Sequence, residues 1–122
     1  MERKMERADI AIIGTGPGGV SAALTAKVRN KNILLIGKKQ MSDKVSKAHQ
    51  IMNYPGLPAV TGADMAKAFE KQLAMMEIDI TDSRIGTVYA MGDYFAIQAG
   101  GEVLEAKSVI LACGVVSGKT LP

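Results

Sequence analysis

Six residues near the amino terminus, Gly14-Thr15-Gly16-Pro17-Gly18-Gly19, are spaced for a chemical task. They form Gly-x-Gly-x-x-Gly and follow directly on the apolar run Ala8-Asp9-Ile10-Ala11-Ile12-Ile13. Each glycine has its own mechanical reason. Gly14 permits a tight turn at a strand end, Gly16 lets a pyrophosphate approach the main chain, and Gly19 lets a helix pack closely on the strand. Pro17 suits the first helical position, where an N–H would have no intrahelical acceptor. An anion placed there meets free amides and the positive end of the helix dipole. The chemistry is noncovalent retention of a dinucleotide by its linked phosphates. The competing reading is a glycine-rich turn that only packs a helix on a sheet.

Other residues add less. Where the next apolar run, Ile33-Leu34-Leu35-Ile36, ends, the chain reads Gly37-Lys38-Lys39. Many dinucleotide sites carry Asp or Glu at that point to hold a ribose hydroxyl. Two lysines suit a 2′-phosphate instead, which keeps NADP as an alternative ligand, or they are solvated loop residues. His49 alone makes no acid–base argument and is read as a surface or packing residue. Cys113 is the sole cysteine, which excludes an internal disulfide, a Cys-x-x-Cys pair and a cysteine-based metal cluster within these residues. It reads as a small buried residue at a strand end. No catalytic residue and no metal ligand is assigned.

The elements that must hold these residues follow from periodicity. A strand over 8–13 leads into a helix over 17–29 with Val20, Ala23, Leu24 and Val28 on one stripe. The residues after that helix, Arg29-Asn30-Lys31-Asn32, bring positive charge to its carboxyl end and a type that accepts left-handed geometry. A second buried strand over 33–36 closes a right-handed βαβ unit. Residues 40–50 are polar and unperiodic. Thr61-Gly62-Ala63-Asp64 has N-cap spacing, and the helix beyond it places Met65, Phe69, Leu73 and Met76 inside with Lys67, Glu70 and Lys71 outside. A third parallel strand is predicted over 78–81. Runs over 84–91, 94–99 and 102–106, separated by Gly92-Asp93 and Gly100-Gly101, predict a three-stranded antiparallel meander. A fourth parallel strand over 108–112 should lie beside the first and end at Cys113-Gly114. The fold class is α/β: a Rossmann-like parallel sheet with a β-meander. Residues 1–7 read as a disordered tail, 8–114 as the domain, and 115–122 as a connector.

Composition fits one soluble α/β domain, with 122 residues, 48% of them hydrophobic and 22% charged. A net charge of +3 on scattered lysines and 4% aromatics argue against a nucleic-acid partner. The apolar runs fall far short of the ~20 residues that span a bilayer, and no apolar leader opens the chain, so a cytoplasmic location with no membrane contact is expected.

The succession of a glycine-rich βαβ unit, a second helix, a third strand, a meander and a strand ending in a small-x-Gly step resembles the FAD domain of two-dinucleotide-binding flavoproteins. It is most similar to the low-molecular-weight thioredoxin reductases. The residues that carry this are the glycine loop at 14–19, Asn53-Tyr54-Pro55-Gly56 with Thr61-Gly62 after it, and Ala112-Cys113-Gly114. The resemblance implies an FAD/NAD(P)-binding domain, here its amino-terminal portion and incomplete. It further implies that Gly14, Thr15, Gly16, Pro17, Gly18 and Gly19 hold the FAD pyrophosphate and that Gly37, Lys38 and Lys39 border the adenosine ribose. By the same resemblance, the main chain of Ile80 and Thr81 meets the adenine, and Asn53 lies near the ribityl chain or isoalloxazine ring. Ala112, Cys113 and Gly114 approach the flavin, with Cys113 where the family commonly has Thr. Two departures stand out. The family's Gly-Gly-Gln step is replaced by Gln40-Met41-Ser42-Asp43-Lys44, and the part that carries an NADPH domain and Cys-x-x-Cys is not among these residues. The implied function is the FAD-binding portion of a thioredoxin-reductase-like flavin-dependent disulfide oxidoreductase, inactive alone as a disulfide reductase. Its partners would be the cofactor and either a second copy in a homodimer or the remaining portion of a split flavoprotein. The alternative is a stand-alone NADP- or ADP-type binding module without catalysis.

Overall fold

A strand that is apolar on both faces belongs inside a sheet, and β1 (Ala8–Ile13) takes that place. A computed structural model describes residues 7–39 and 48–114. After β1 come α1 (Pro17–Val28), β2 (Ile33–Gly37), α2 (Gly62–Met75), β3 (Ile80–Asp82), β4 (Ile85–Ala90), β5 (Phe95–Ala99) and β6 (Glu102–Leu111). They build one six-stranded sheet in the order β3-β2-β1-β6-β5-β4. The pairs β2–β3, β1–β2 and β1–β6 are parallel, and β4–β5 and β5–β6 are antiparallel.

Two cores flank the parallel strands. Beneath the helices, Ile12 and Leu35 pack with Val20 and Ala23 of α1 and with Met65, Phe69 and Leu73 of α2. On the other core, Ala11 and Ile36 pack with Ile97, Ala99, Leu104 and Ala106, so the meander shares its apolar residues with the parallel strands.

The sequence separates the last meander strand from the fourth parallel strand, and the structure joins them. β6 runs unbroken over ten residues; Glu102 to Ala106 pair with β5, and Ala106 to Leu111 pair with β1. Lys107 and Ser108 read as a break because they are polar, yet both are exposed and Ser108 Oγ donates to the Asp9 carbonyl at 2.8 Å. On the side away from β1, residues 107–111 have no strand partner among the described residues.

Both helices end in the same device. Asn30 adopts φ 61° after α1, with Asn30 N–H donating to Lys27 O and Lys31 N–H to Ala26 O. Glu77 adopts φ 56° after α2, with Glu77 N–H donating to Ala74 O and Ile78 N–H to Leu73 O. These are Schellman motifs. They correct the predicted third strand, which begins at Ile80 and not at 78. Ile78 is apolar because it packs with Leu73 at the helix end, not because it belongs to the sheet. The α1 stripe is corrected too. Gly19, Val20, Ala23 and Ala26 are buried, Leu24 is half-buried, and Val28 is 69% exposed because helical geometry sets it on the side away from the Gly19-Val20-Ala23-Ala26 stripe.

The cap of α2 is as predicted, with Asp64 N–H donating to Thr61 Oγ1 at 3.1 Å. Met65, Phe69 and Leu73 are buried and Met76 is partly so. Of the predicted tail, Arg7 is anchored: its Nε meets Glu105 Oε1 at 3.0 Å and its guanidinium lies 3.8 Å over the Tyr94 ring. Residues 1–6, the connector at 115–122 and the departure at 40–44 lie outside the described residues. Asp9 accepts from Asn32 N–H at 2.9 Å and lies 3.5 Å from Lys107 Nζ. The Asn32 amide, assisted by Lys107, holds its carboxyl below the usual 3.8. No described helix is long and apolar enough to cross a membrane.

Candidate functional site at the carboxyl edge of the sheet

In an open parallel sheet, ligands settle beyond the carboxyl ends of the strands, where connections depart to opposite sides. Here that crevice lies at the end of β1, between β2 and β6. Gly14 enters it with φ 121° while its N–H donates to Ile36 O at 2.9 Å. A Cβ on Gly14 would overlap the Ala112 carbonyl, and Ala112 N–H donates back to Ile13 O at 2.7 Å. A Cβ on Gly19 would overlap the Gly14 carbonyl, so α1 can sit on the loop only with glycine there.

Gly16 differs from both. Among the described residues a Cβ there would meet nothing within 4 Å, so none of their contacts asks for glycine. Gly16 is the N-cap of α1, extended at φ −78° and ψ −171°, and no side chain caps the helix. Its first turn holds Pro17 and no acidic residue. Gly18 is exposed, with Ala112 Cβ 3.9 Å from where its own Cβ would be. Among the described residues no side chain caps the mouth of α1, its first turn carries no negative charge, and the Cβ position of Gly16 is open, the features of a helix start that can receive an anion.

Beside the glycine turn, Thr15 and the end of β2 form one continuous rim. Thr15 Oγ1 donates to Lys38 O at 2.7 Å, and a Cβ on Gly37 would come within 2.7 Å of Thr15 Cγ2. Gly37 thus lets the two turns touch. Lys38 and Lys39 are exposed. Lys39, Thr15, Glu70 and Ile80 line a narrow cleft of about 20 Å³ between these turns and α2. Ile80 and Thr81 sit in β3 opposite Leu35 and Ile36, one strand beyond β2. A larger groove of about 300 Å³ lies near where β2 begins, lined by Lys27, Lys31, Glu77 and Asp79 among others. Its charges are of both signs and it does not include the glycine loop.

The remaining predicted residues are placed less tightly. Asn53 is exposed on a loop pinned by the Ile51–Val60 bridge, by Gly62 N–H donating to Ala48 O at 3.0 Å, and by Tyr54, whose ring packs tilted at 59° against Phe69 with centroids 5.5 Å apart. That loop docks on α2, and no hydrogen bond among the described residues brings Asn53 to the glycine turn. Cys113, expected to be buried, is exposed, as Ile110 and Leu111 at the end of β6 already are. Its Sγ lies 3.9 Å from Ile13 O. Gly114 takes φ 66°. The sequence reading passes over Asp82, which closes β3 directly opposite Gly37. A strand expected to end at 81, one residue short, leaves Asp82 in a loop. Among the described residues no group of three His, Cys, Asp or Glu could hold a metal ion.

Residues 8–121 match the family model described as pyridine nucleotide-disulphide oxidoreductase. The thioredoxin reductase of Helicobacter pylori is 37% identical over 109 residues, covering 87% of this chain and 35% of that protein. The thioredoxin reductase of Mycoplasma pneumoniae is 30% identical, covering 91% and 36%. Among solved structures, a ferredoxin-flavin thioredoxin reductase from Clostridium acetobutylicum superposes with a TM-score of 0.90 at 44% identity, covering 96% of this chain and 41% of that one. The chain therefore spans well under half the length of the proteins it matches.

Proposed function

Because this chain belongs to the pyridine nucleotide-disulphide oxidoreductase family, we propose that the mouth of α1 holds the pyrophosphate of FAD within a thioredoxin-reductase-like flavoprotein. The observation that carries this reading is Gly16: an open Cβ position on an uncapped helix start. The amides of the first turn and the helix dipole receive the phosphates. Thr15 sets the turn, the 37–39 segment borders the ribose, and the main chain of Ile80 and Thr81 meets the adenine. Asn53 and residues 112–114 face the flavin half. When bound, FAD supplies electron transfer between a donor and a disulfide, and the protein supplies position. The dithiol comes from outside these residues, since Cys113 stands alone in the sequence.

The activity of the whole protein is proposed as flavin-dependent reduction of a thioredoxin disulfide. The name of the ferredoxin-flavin thioredoxin reductase to which the chain is 44% identical adds ferredoxin to NADPH as a candidate donor. We place the protein in the cytoplasm, partnered by the rest of the flavoprotein and not by a second copy alone. The alternative, an NADP- or ADP-binding module without catalysis, draws on Lys38 and Lys39.

The test is retention of cofactor. The chain is incubated with excess FAD, passed through a desalting column and scanned in the visible range. Flavin bands that persist, and FAD released on heating, are the expected result. A colourless protein that is stabilised by NADP would replace the proposal with the alternative.

A further inference from the structure

The end of β2 has no acid to hold a ribose, but the next strand does. β3 closes with Asp82, and the parallel register sets Asp82 beside Gly37. Aligned residues of neighbouring strands project from the same face. Two residues back on the same strands, the aligned pair Leu35 and Ile80 belongs to the core beneath α1 and α2. Asp82 and Gly37 therefore share the helix-bearing face, which is also the side from which Thr15 approaches Gly37. Asp82 is exposed at the rim. An adenosine whose phosphates rest at Gly16 and whose sugar crosses Gly37 passes over this carboxylate.

We propose that Asp82 is the ribose-reading acid of the site. It accepts a hydrogen bond from an adenosine ribose hydroxyl and repels a 2′-phosphate, so the site takes FAD or ADP-like ligands and rejects 2′-phosphorylated ones despite Lys38 and Lys39. A carboxylate accepting from a hydroxyl makes a charge-assisted bond, and the same carboxylate beside a phosphate is a like-charge pair. The lysines do not reverse this. Both are exposed ammonium groups on long flexible stems that must be ordered to act, whereas Asp82 stands on a hydrogen-bonded strand. The inference rests on the reading that the glycine turn holds the pyrophosphate.

Titration calorimetry with the whole chain separates the two. The probes are ADP, 2′-phospho-ADP and FAD, and the proteins are wild type, Asp82→Asn, Asp82→Ser and Gly16→Val, each checked by its melting midpoint. Wild type is expected to prefer ADP over 2′-phospho-ADP by about tenfold or more, and both Asp82 variants to weaken ADP by about tenfold and lose that preference. Asp82 variants that keep the preference, or a wild type that favours 2′-phospho-ADP, overturn the proposal. If Gly16→Val still abolishes ADP binding in that case, the pyrophosphate reading survives without it. A wild type that binds neither ADP nor FAD, or a Gly16→Val chain that binds both normally, overturns the reading and the inference together.

Discussion

The hydroxyl of Thr15 donates a 2.7 Å hydrogen bond to the carbonyl of Lys38, tying the glycine turn after β1 to the exit of β2. Two turns 23 residues apart in sequence thereby act as one rim, and the missing side chain of Gly37 lets them touch. Thr15→Val keeps the volume and removes the bond. It should cost about 1 kcal/mol of stability in urea titration and weaken FAD several-fold, while Thr15→Ser restores both. A Thr15→Val protein with unchanged FAD affinity would show that the rim needs no tie.

The glycines of the turn should separate into two kinds under the same substitution. Gly19→Ala places a methyl against the Gly14 carbonyl, a main-chain atom that cannot step aside, and should destabilise by roughly 3 kcal/mol or more. Gly16→Ala meets only open space, so its melting midpoint should stay near wild type. Its FAD affinity should fall at least about tenfold, because the methyl stands where the phosphates approach. Equal loss of stability in both variants would contradict the division.

A stabilising change is available at the end of α2. Glu77 holds φ 56°, a conformation that costs a side-chain-bearing residue roughly 1–2 kcal/mol, and it is exposed. Glu77→Gly relieves that strain but adds freedom to the unfolded chain, for a net gain of about 0.5–1 kcal/mol. Chemical denaturation reads it directly, and a loss of stability would mean the carboxylate makes a compensating contact.

Asp9 gives the fold a defined response to acid. Its folded carboxyl titrates below the usual 3.8 because the Asn32 N–H and then Lys107 favour the charged form. A depressed pKa contributes stability that is complete above the unfolded value and is lost as the pH falls through the folded one. The difference in urea midpoint between wild type and Asp9→Asn should therefore be constant from neutral pH down to about 5, and should close below the usual aspartate range. A difference that grows on acidification would reverse the sign argued here.

The glycine turn was legible because its constraints are local: a positive φ at Gly14 and two close approaches that leave no other residue type. So were the Thr61 cap and the Met65-Phe69-Leu73 stripe, which depend on spacing alone. Where a residue's apolarity served a different neighbour, the reading slipped. Ile78 seals a helix end, Val28 lies on the helix side away from the buried stripe, and Lys107 with Ser108 interrupts a hydrophobic pattern without interrupting a strand. The apolar run before Cys113 suggests a buried strand, but the end of β6 is exposed and Cys113 with it. The position of Asn53 relative to the turn depends on how a whole loop lies on α2, and no residue spacing encodes that. Asp82 became visible only once register placed it against Gly37.

One consequence follows from the far half of β6. Over residues 107–111, nothing among the described residues pairs with the edge that faces away from β1, and Ile110 and Leu111 are exposed, Leu111 at 72%. Such a ribbon is a template: it offers main-chain donors, acceptors and greasy side chains to whatever extended segment arrives first. Lys107 is the lone charge along it, so in a concentrated solution of this chain by itself, self-association should begin at this seam.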